Sequence, residues 1–467
     1  MLFRSTAAAT PPGPATRALS VQQRRWLSLV RGAGISPEVT PVTFHMALNR
    51  TVFVAALRHV VQRHETLRYR YAEAAAQLLP AEQVIPDEAD LFVDLTEVPA
   101  TDLPAAVQQR IGQCRAAVPD PFLRPPWAVR CLALAPDRFM VLLGMQHLEF
   151  DGTGIATFFD ELQRSYRARL EGTEPHLPAI TQYHEYVREQ QEYLAGAVER
   201  DRGFFQGLFA SVTATTSLPG HPGFDRTTSA TAKCLTPARP LARWSDLAAA
   251  ADRMMISPFA IILASYAELV ATAVGSSVPV ISVIRSGRSH IRYANTIGAF
   301  TAPFPLPIHV ERRTPLALIR QCHHLICALT ERMDYPPGDM INTAPTFHGF
   351  PTDSYFSDVS INFLQFRKKA SVQAGDRTAD IELAKPGDRA HGTAGSELDP
   401  PRRVVGLQFA AEIIEGQLIA HYWYHTGRIP VKTVRHWAED HRKIMDKLLA
   451  ATNERLGDDP LGQPLSA

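Results

Sequence analysis

Residues Phe139 to Met145 form an unbroken apolar run, and Gln146-His147-Leu148-Glu149-Phe150-Asp151-Gly152 follows it directly. The run is short and rich in large apolar groups, which predicts a strand buried on both faces. After Gly152, the residues Ile155, Phe158, Phe159, Leu162 and Tyr166 recur at helical spacing and predict one buried stripe. A buried strand therefore delivers His147 to its C-terminal end, and Gly152 permits a tight turn into the next helix.

The same alternation extends through most of the chain and predicts an α/β fold. Thr51 to His64 places Phe53, Ala56, Leu57, Val60 and Val61 on one stripe. Leu67 to Tyr71 and Trp127 to Leu134 are predicted strands, Pro104 to Ala117 and Tyr183 to Gln206 predicted helices. Ser211 to Thr231, rich in Ser, Thr, Gly and Pro, is the best linker candidate. Beyond it Ser257 and Pro258 open a helix, Val278 to Ile284 is a strand, Pro315 to Met333 a helix and Ser357 to Phe366 a strand. Lys368 to Arg402 is polar and weakly patterned, a predicted long loop. Val404 to Tyr424 reads as two strands around Glu415-Gly416, and Val431 to Ala450 as a closing helix. At 467 residues the chain exceeds the about 250–300 residues that one core can serve. The expected division is a disordered tail over 1–17, one lobe over 18–210, a linker over 211–231, a second lobe over 232–455 and a tail over 456–467.

Charge and cysteine content narrow the function. Lys and Arg number 48 against 47 Asp and Glu, so the net charge of +1 gives no support for nonspecific binding to nucleic acid or an anionic membrane. Met254 to Ile284 is the best membrane candidate, but Ser257-Pro258 and Gly275-Ser276-Ser277 split it into a helix and a short strand, so it reads as buried core. The five cysteines are too few and too scattered for a disulfide framework, and the N-terminus lacks the apolar segment of a signal peptide. The expected setting is cytoplasmic and reducing.

Several chemistries lack their motif. There is no G-x-x-x-x-G-K-[ST] phosphate loop, no G-x-G-x-x-G after a strand and no G-x-S-x-G elbow. His184-Glu185 has no second His at zinc-protease spacing. Cys322, His323, His324 and Cys327 lie in a predicted helix where all four cannot face one ion, so no metal is expected. What remains is an imidazole at a strand end with an Asp four residues on, which suits a base and its orienting partner. Those residues alone leave a structural histidine open as the alternative.

Gln146 to Gly152 resembles the H-H-x-x-x-D-G motif of nonribosomal peptide synthetase condensation domains and their CoA-dependent acyltransferase relatives. Further blocks follow in that family's order. Leu19 to Trp26 (LSVQQRRW) resembles the opening S-x-A-Q-x-R-x-W block, Arg63 to Arg68 the R-H-E-x-L-R block, and Pro121-Phe122 the P-F-D-L stretch. Gln182 to Tyr186 resembles Q-Y-x-D-Y; Ser286-Gly287-Arg288 with Ile297 to Phe300 resembles S-G-R…I-G-x-F; and Ser360 to Phe363 resembles a late block around an Asn.

The resemblance implies two chloramphenicol-acetyltransferase-like lobes, each an α+β two-layer unit, in a V-shaped pseudo-dimer with a central tunnel. It implies that His147 acts on the acceptor's amine or hydroxyl as general base or by orienting it. Asp151 would be structural and pair with Arg288. Gly152 would leave room for a thioester and offer a backbone N–H to an oxyanion, and Asn362 would face the acceptor. The implied partners are an acyl or peptidyl carrier protein, or CoA, presenting the donor on phosphopantetheine, and a small amine or alcohol. No tightly bound cofactor is expected.

The chain departs from the pattern at Gln146, where the first motif His is replaced but hydrogen bonding is kept. Glu149 places a carboxylate inside the motif, where it would face solvent, pair locally or meet a cationic acceptor. Thr153 stands where a Trp is common, leaving more room, and Phe300-Thr301-Ala302-Pro303 replaces F-V-N-T. The expectation is a free-standing, monomeric condensation enzyme forming an amide or, second, an ester. The alternative is a catalytically silent module that recruits carrier proteins or tailoring enzymes.

Overall fold

The protein is represented by a computed structural model that describes residues 15–33, 36–213, 216–218, 232–288, 290–311, 314–336, 340, 357–364, 382–383, 406–426 and 428–453. In chain order the first half holds β1 (Thr16–Ala18), α1 (Val21–Ala33), β2 (Glu38–Phe44), α2 (Arg50–Arg63), β3 (Tyr69–Tyr71), β4 (Ala75–Leu78), α3 (Glu88–Leu91), β5 (Phe92–Asp94), α4 (Leu103–Ala116), β6 (Trp127–Ala135), β7 (Arg138–Met145), α5 (Gly152–Leu170) and α6 (Tyr183–Phe209). The second holds β8 (Ala232–Leu235), β9 (Ala242–Arg243), α7 (Trp244–Met254), α8 (Pro258–Val274), β10 (Val280–Arg285), β11 (Ala302–Pro307), α9 (Pro315–Thr330), β12 (Val359–Leu364), β13 (Glu382–Leu383), β14 (Leu407–Ile414), β15 (Gln417–His425) and α10 (Val431–Asn453).

The first lobe is built on a sheet of order β13-β2-β7-β6-β5, in which only β5 and β6 run parallel. Strand β7 has no polar face, as its composition requires. Phe139, Val141, Leu143 and Met145 enter one core with Phe53, Leu57 and Val60 of α2 and Phe158, Phe159 and Leu162 of α5. Leu142 and Met140 point the other way, toward Cys114 of α4. A side chain at Gly144 would collide there with Val118 at 2.9 Å, so the missing Cβ lets α4 close on the sheet. Asn49 caps α2 by accepting from the Val52 amide (3.1 Å), and Asp151 does the same for α5 through Gly154 (2.8 Å).

The second lobe has a sheet of order β11-β10-β12-β14-β15-β8, with β9 also on β15, and parallel pairing of β10 with β12 and β12 with β14. Helix α8 is buried along most of its length in this lobe's core, with residues of α7, α9 and α10. Among the described residues no single helix is long and apolar enough to cross a membrane; only α7 and α8 taken together, bent by 105°, pass on length and composition.

The structure differs from the expectations at several points. Residues 16 and 17 of the expected tail belong to β1, which pairs with β4. The predicted strand over Leu67 to Tyr71 begins as a 3₁₀ turn at Glu65–Arg68, because Leu67 is drawn inward to the core rather than held in a ladder. Helix α6 is shared between the lobes: Phe205 and Phe209 lie in the second core, and so do Val212 and Leu218 of the expected linker. Linker residues 214–215 and 219–231 lie outside the described residues, as do 1–14 and 454–467 of the termini. So does the predicted loop over Lys368 to Arg402, except for Glu382 and Leu383, which pair with Thr43 and Val42 and so add a strand to the first lobe's sheet. At Glu415 and Gly416 both φ angles are positive (49° and 75°), the tight hairpin turn expected there.

Between the lobes runs the segment from Arg285 to Thr301. Ile297 belongs to the first core, and Tyr293 and Phe300 pack with Tyr183, Tyr186 and Val187 of α6. Two glycines make this approach possible. Gly287 has φ of +67° and a Cβ there would stand 1.9 Å from the Phe300 carbonyl oxygen; one on Gly298 would stand 2.1 Å from the Tyr183 ring.

Candidate active site

The antiparallel register of β2 on β7 sets Glu38 opposite Met145. His147 follows two residues beyond Met145, and among the described residues its imidazole meets three partners. Its Nδ1 lies 2.9 Å from the Phe150 carbonyl oxygen. A carbonyl can only accept, so Nδ1 carries a proton. Nε2 stands 3.6 Å from Glu38 Oε1, with 28% of the His147 side chain and 18% of the Glu38 side chain exposed. The third partner is Trp26 of α1, whose ring stacks on the imidazole with centroids 4.7 Å apart and an interplanar angle of 28°. The ring is therefore held in one plane, in one tautomer, and open to solvent on part of its surface.

Asp151, four residues on, is fully engaged elsewhere. Arg288 of the second lobe donates to both its oxygens, at 2.5 Å to Oδ2 and 3.0 Å to Oδ1, with both side chains buried. Arg288 also donates to the carbonyls of Tyr293 (3.1 Å) and Thr296 (3.0 Å), and its guanidinium lies 4.2 Å from the Phe300 ring centroid. Thr301 donates to Asp151 Oδ2 at 3.3 Å. The expected Asp151–Arg288 pair is thus present, and it ties the start of α5 to the second lobe. A carboxylate so occupied orients the loop and does not serve His147 as a base.

The first amides of α5 complete the site. Gly154 N–H donates to Asp151 Oδ1 and Ile155 N–H to the Asp151 carbonyl. Among the described residues, the amides of Gly152 and Thr153 have no protein acceptor, the usual condition of a helix start. Thr153 is exposed and Gly152 partly so, whereas Gln146 is buried, its amide donating to the Pro126 carbonyl (2.9 Å).

One site expectation needs correction. Glu149 does not face solvent or an entering acceptor: its side chain is fully enclosed. The Tyr71 hydroxyl donates instead to the Leu148 carbonyl (3.0 Å), and among the described residues neither Glu149 oxygen has a well-placed partner. Burial pushes this carboxyl well above the usual carboxylate range, so it stands as a neutral acid and presents no charge to a substrate. Asn362 lies partly exposed on β12, paired with Ala410, and no hydrogen bond among the described residues links it to the His147 loop. In α9, Cys322 is buried in the second core, whereas Cys327 is exposed with its Sγ 3.7 Å from His323 Nε2.

Sequence reasoning missed Glu38 and gave Trp26 no role at the site. Trp26 had a signal, since it closes the first of the quoted blocks. Glu38 had none, because only the register of β2 on β7 brings it to the imidazole.

The family model described as the condensation domain matches residues 16–461. The chain is 28% identical over 366 residues to phosphinothricin tripeptide synthetase PhsB of Streptomyces viridochromogenes, a match that takes in 71% of this chain and 29% of that protein's length. Among solved structures it is similar to the epimerization domain from the third module of tyrocidine synthetase B, with a TM-score of 0.73 at 18% identity, covering 96% of this chain and 100% of that one. It is likewise similar to the first condensation domain of the calcium-dependent antibiotic synthetase, with a TM-score of 0.71 at 20% identity, covering 93% and 96%.

Proposed function

The chain belongs to the condensation-domain family, and from that membership we propose that it transfers an acyl or aminoacyl group from a thioester to a nucleophilic acceptor. The donor arrives on the phosphopantetheine of a carrier protein or on CoA, and the product is an amide or ester of a nonribosomal peptide-type natural product. One observation carries the reading: partly exposed His147, with Nδ1 2.9 Å from the Phe150 carbonyl oxygen and Nε2 3.6 Å from Glu38, lies four residues before Asp151, the residue that Arg288 of the second lobe grips.

The chemistry follows from that geometry. The acceptor's nitrogen or oxygen attacks the thioester carbonyl while Nε2 takes its proton. Such assistance accelerates a reaction by about 10²–10⁴-fold, or roughly 3–5 kcal/mol off the barrier. The amides of Gly152 and Thr153 lie at the positive end of α5, where a tetrahedral oxyanion is stabilised. Thiol departure completes the transfer. Asp151 and Arg288 keep the histidine loop and the facing lobe in register; Gln146 supports the loop from below, and Asn362 belongs to the acceptor side.

The test is reconstitution with a panel of acyl-carrier and acyl-CoA donors and amine or alcohol acceptors, read by mass spectrometry. Product from the wild type and its loss in His147→Ala support the proposal. Equal product from both proteins overturns the catalytic assignment. Tight carrier binding without turnover for any pair would instead indicate a recruiting module.

A further inference from the structure

At one edge of the second sheet the chain takes a detour. Strand β8 runs along β15 as far as Leu235, which pairs with Tyr422, and β9 returns to it at Ala242, which pairs with Leu418. Only residues 419–421 of β15 lie between those pairs, whereas 236–241 pass around them. The longer path cannot follow the ladder, and a cleft of about 560 Å³ lies between it and α10. Small-molecule sites span about 300–1,000 Å³.

The inside of the cleft is apolar. Ala420 of β15 and Ala438 of α10 are too small to fill it, and Leu235, Leu241 and Tyr422 complete the walls. The Tyr422 hydroxyl lies 2.8 Å from His441 Nδ1, so what this residue gives the cleft is its ring. The rim is cationic. Helical spacing sets Arg435, Ala438 and Arg442 on one face of α10 with Lys443 beside them, and Arg239 stands on the facing strap. Among the described residues Glu439 is the single carboxylate in this lining. Arg442 and Lys443 are paired with Asp446 (3.1 Å) and Asp440 (2.9 Å). Among the described residues Arg239 and Arg435 have no carboxylate within ion-pair distance. The strap that carries Arg239 is stiffened by Pro237 and Pro240, each of which fixes its own φ.

We propose that this cleft binds a small carboxylate with an aryl or short alkyl body. The body lies against Ala420, Leu241 and Tyr422, where it is removed from water. The head group meets Arg239 and Arg435, whose planar N–H donors match the two oxygens of a carboxylate. The cleft is lined by the strap, β15 and α10, with no residue of the first lobe or of the Arg285 to Thr301 segment. It is therefore a second binding function, apart from the acyl transfer assigned to His147.

The test is isothermal titration calorimetry at neutral pH with 4-phenylbutyrate. 4-Phenylbutyramide supplies the same body without the charge, and acetate the head group without the body. The proposal expects saturable one-to-one binding of 4-phenylbutyrate and at least tenfold weaker binding of both controls. It also expects at least tenfold weaker 4-phenylbutyrate binding in the double variant Arg239→Gln, Arg435→Gln, whose positions are exposed and leave the core intact. Ala438→Trp, which fills the cleft, should weaken it as much. His147→Ala should bind the probe as the wild type does. No saturable binding, equal affinity for the amide, undiminished binding in either cleft variant, or loss of binding in His147→Ala overturns the proposal. The double variant decides alone if Ala438→Trp fails to fold. Binding is read without turnover, so the outcome stands apart from that of the acyl-transfer reconstitution.

Discussion

The two lobes treat a histidine in opposite ways. In the second lobe, His441 of α10 is fully buried, with Nδ1 2.8 Å from the Tyr422 hydroxyl and Nε2 3.0 Å from the Ser265 hydroxyl. Burial pushes its pKa down to about 3, so it stays neutral over the working range of a protein. In the first lobe, His147 lies on a strand-to-helix loop, partly exposed, with one nitrogen tied to a backbone carbonyl and the other facing a carboxylate. Both rings are fixed by protein contacts, but Nε2 of His441 meets the buried Ser265 hydroxyl whereas Nε2 of His147 faces a carboxylate on a partly exposed ring.

The strongest stability effect sharpens this contrast at the lobe junction. Asp151→Ala leaves Arg288 buried without its carboxylate and should destabilise the protein by about 3–5 kcal/mol. Chemical denaturation measures it, and unchanged stability would mean that the pair does not join the lobes.

Next comes His441→Ala, which opens a cavity and removes the partner of the buried Tyr422 hydroxyl, while Ser265 keeps its bond to the Ile262 carbonyl. It should cost roughly 2–4 kcal/mol, while the folded fraction keeps its turnover per molecule. A variant of wild-type stability would break the comparison, because His441 would then not be a core residue in the energetic sense.

The acid response is smaller. Native His441 resists protonation down to about pH 3, whereas the unfolded chain takes that proton near pH 6.5. The unfolded state therefore binds more protons between these values, and stability falls as the pH drops through this window. Between pH 7 and 5 the contribution is about 2 kcal/mol. Urea melts at the two pH values should show a wild-type loss that His441→Phe reduces by that amount.

Glu149→Gln should have the smallest net effect, with the opposite pH sense. Native Glu149 holds its proton above the pH at which the unfolded chain releases it, so its stability contribution decreases as pH rises beyond the ordinary carboxylate range. The variant should match the wild type near pH 4 and exceed it modestly at pH 8, because an enclosed amide still leaves polar groups unmatched.

What could be read from the chain was local. The apolar stripes of α2 and α5, the two-faced burial of β7 and the turn at Glu415-Gly416 are properties of neighbouring residues, and the structure contains them. The Asp151–Arg288 pair came from the order of the family's blocks. What stayed hidden depends on partners distant in sequence. Glu38 reaches His147 only in the register that sets it opposite Met145, and a one-residue slip would turn it to the other face of the sheet. Glu149 was open to solvent, a local pair or a cationic acceptor because nothing next to it reveals the enclosure. The sharing of α6 between lobes was masked by a continuous helical pattern that is equally consistent with one core or two.

The central claim is that the presented imidazole of the first lobe, and not the enclosed one of the second, performs the transfer. Single-turnover acyl transfer from one productive thioester to one amine, compared in the wild type, His147→Ala and His441→Phe and normalised to folded protein, tests it directly. The account predicts a 10²–10⁴-fold slower transfer in His147→Ala and a wild-type rate in His441→Phe. A His147→Ala rate within a few-fold of the wild type would contradict it.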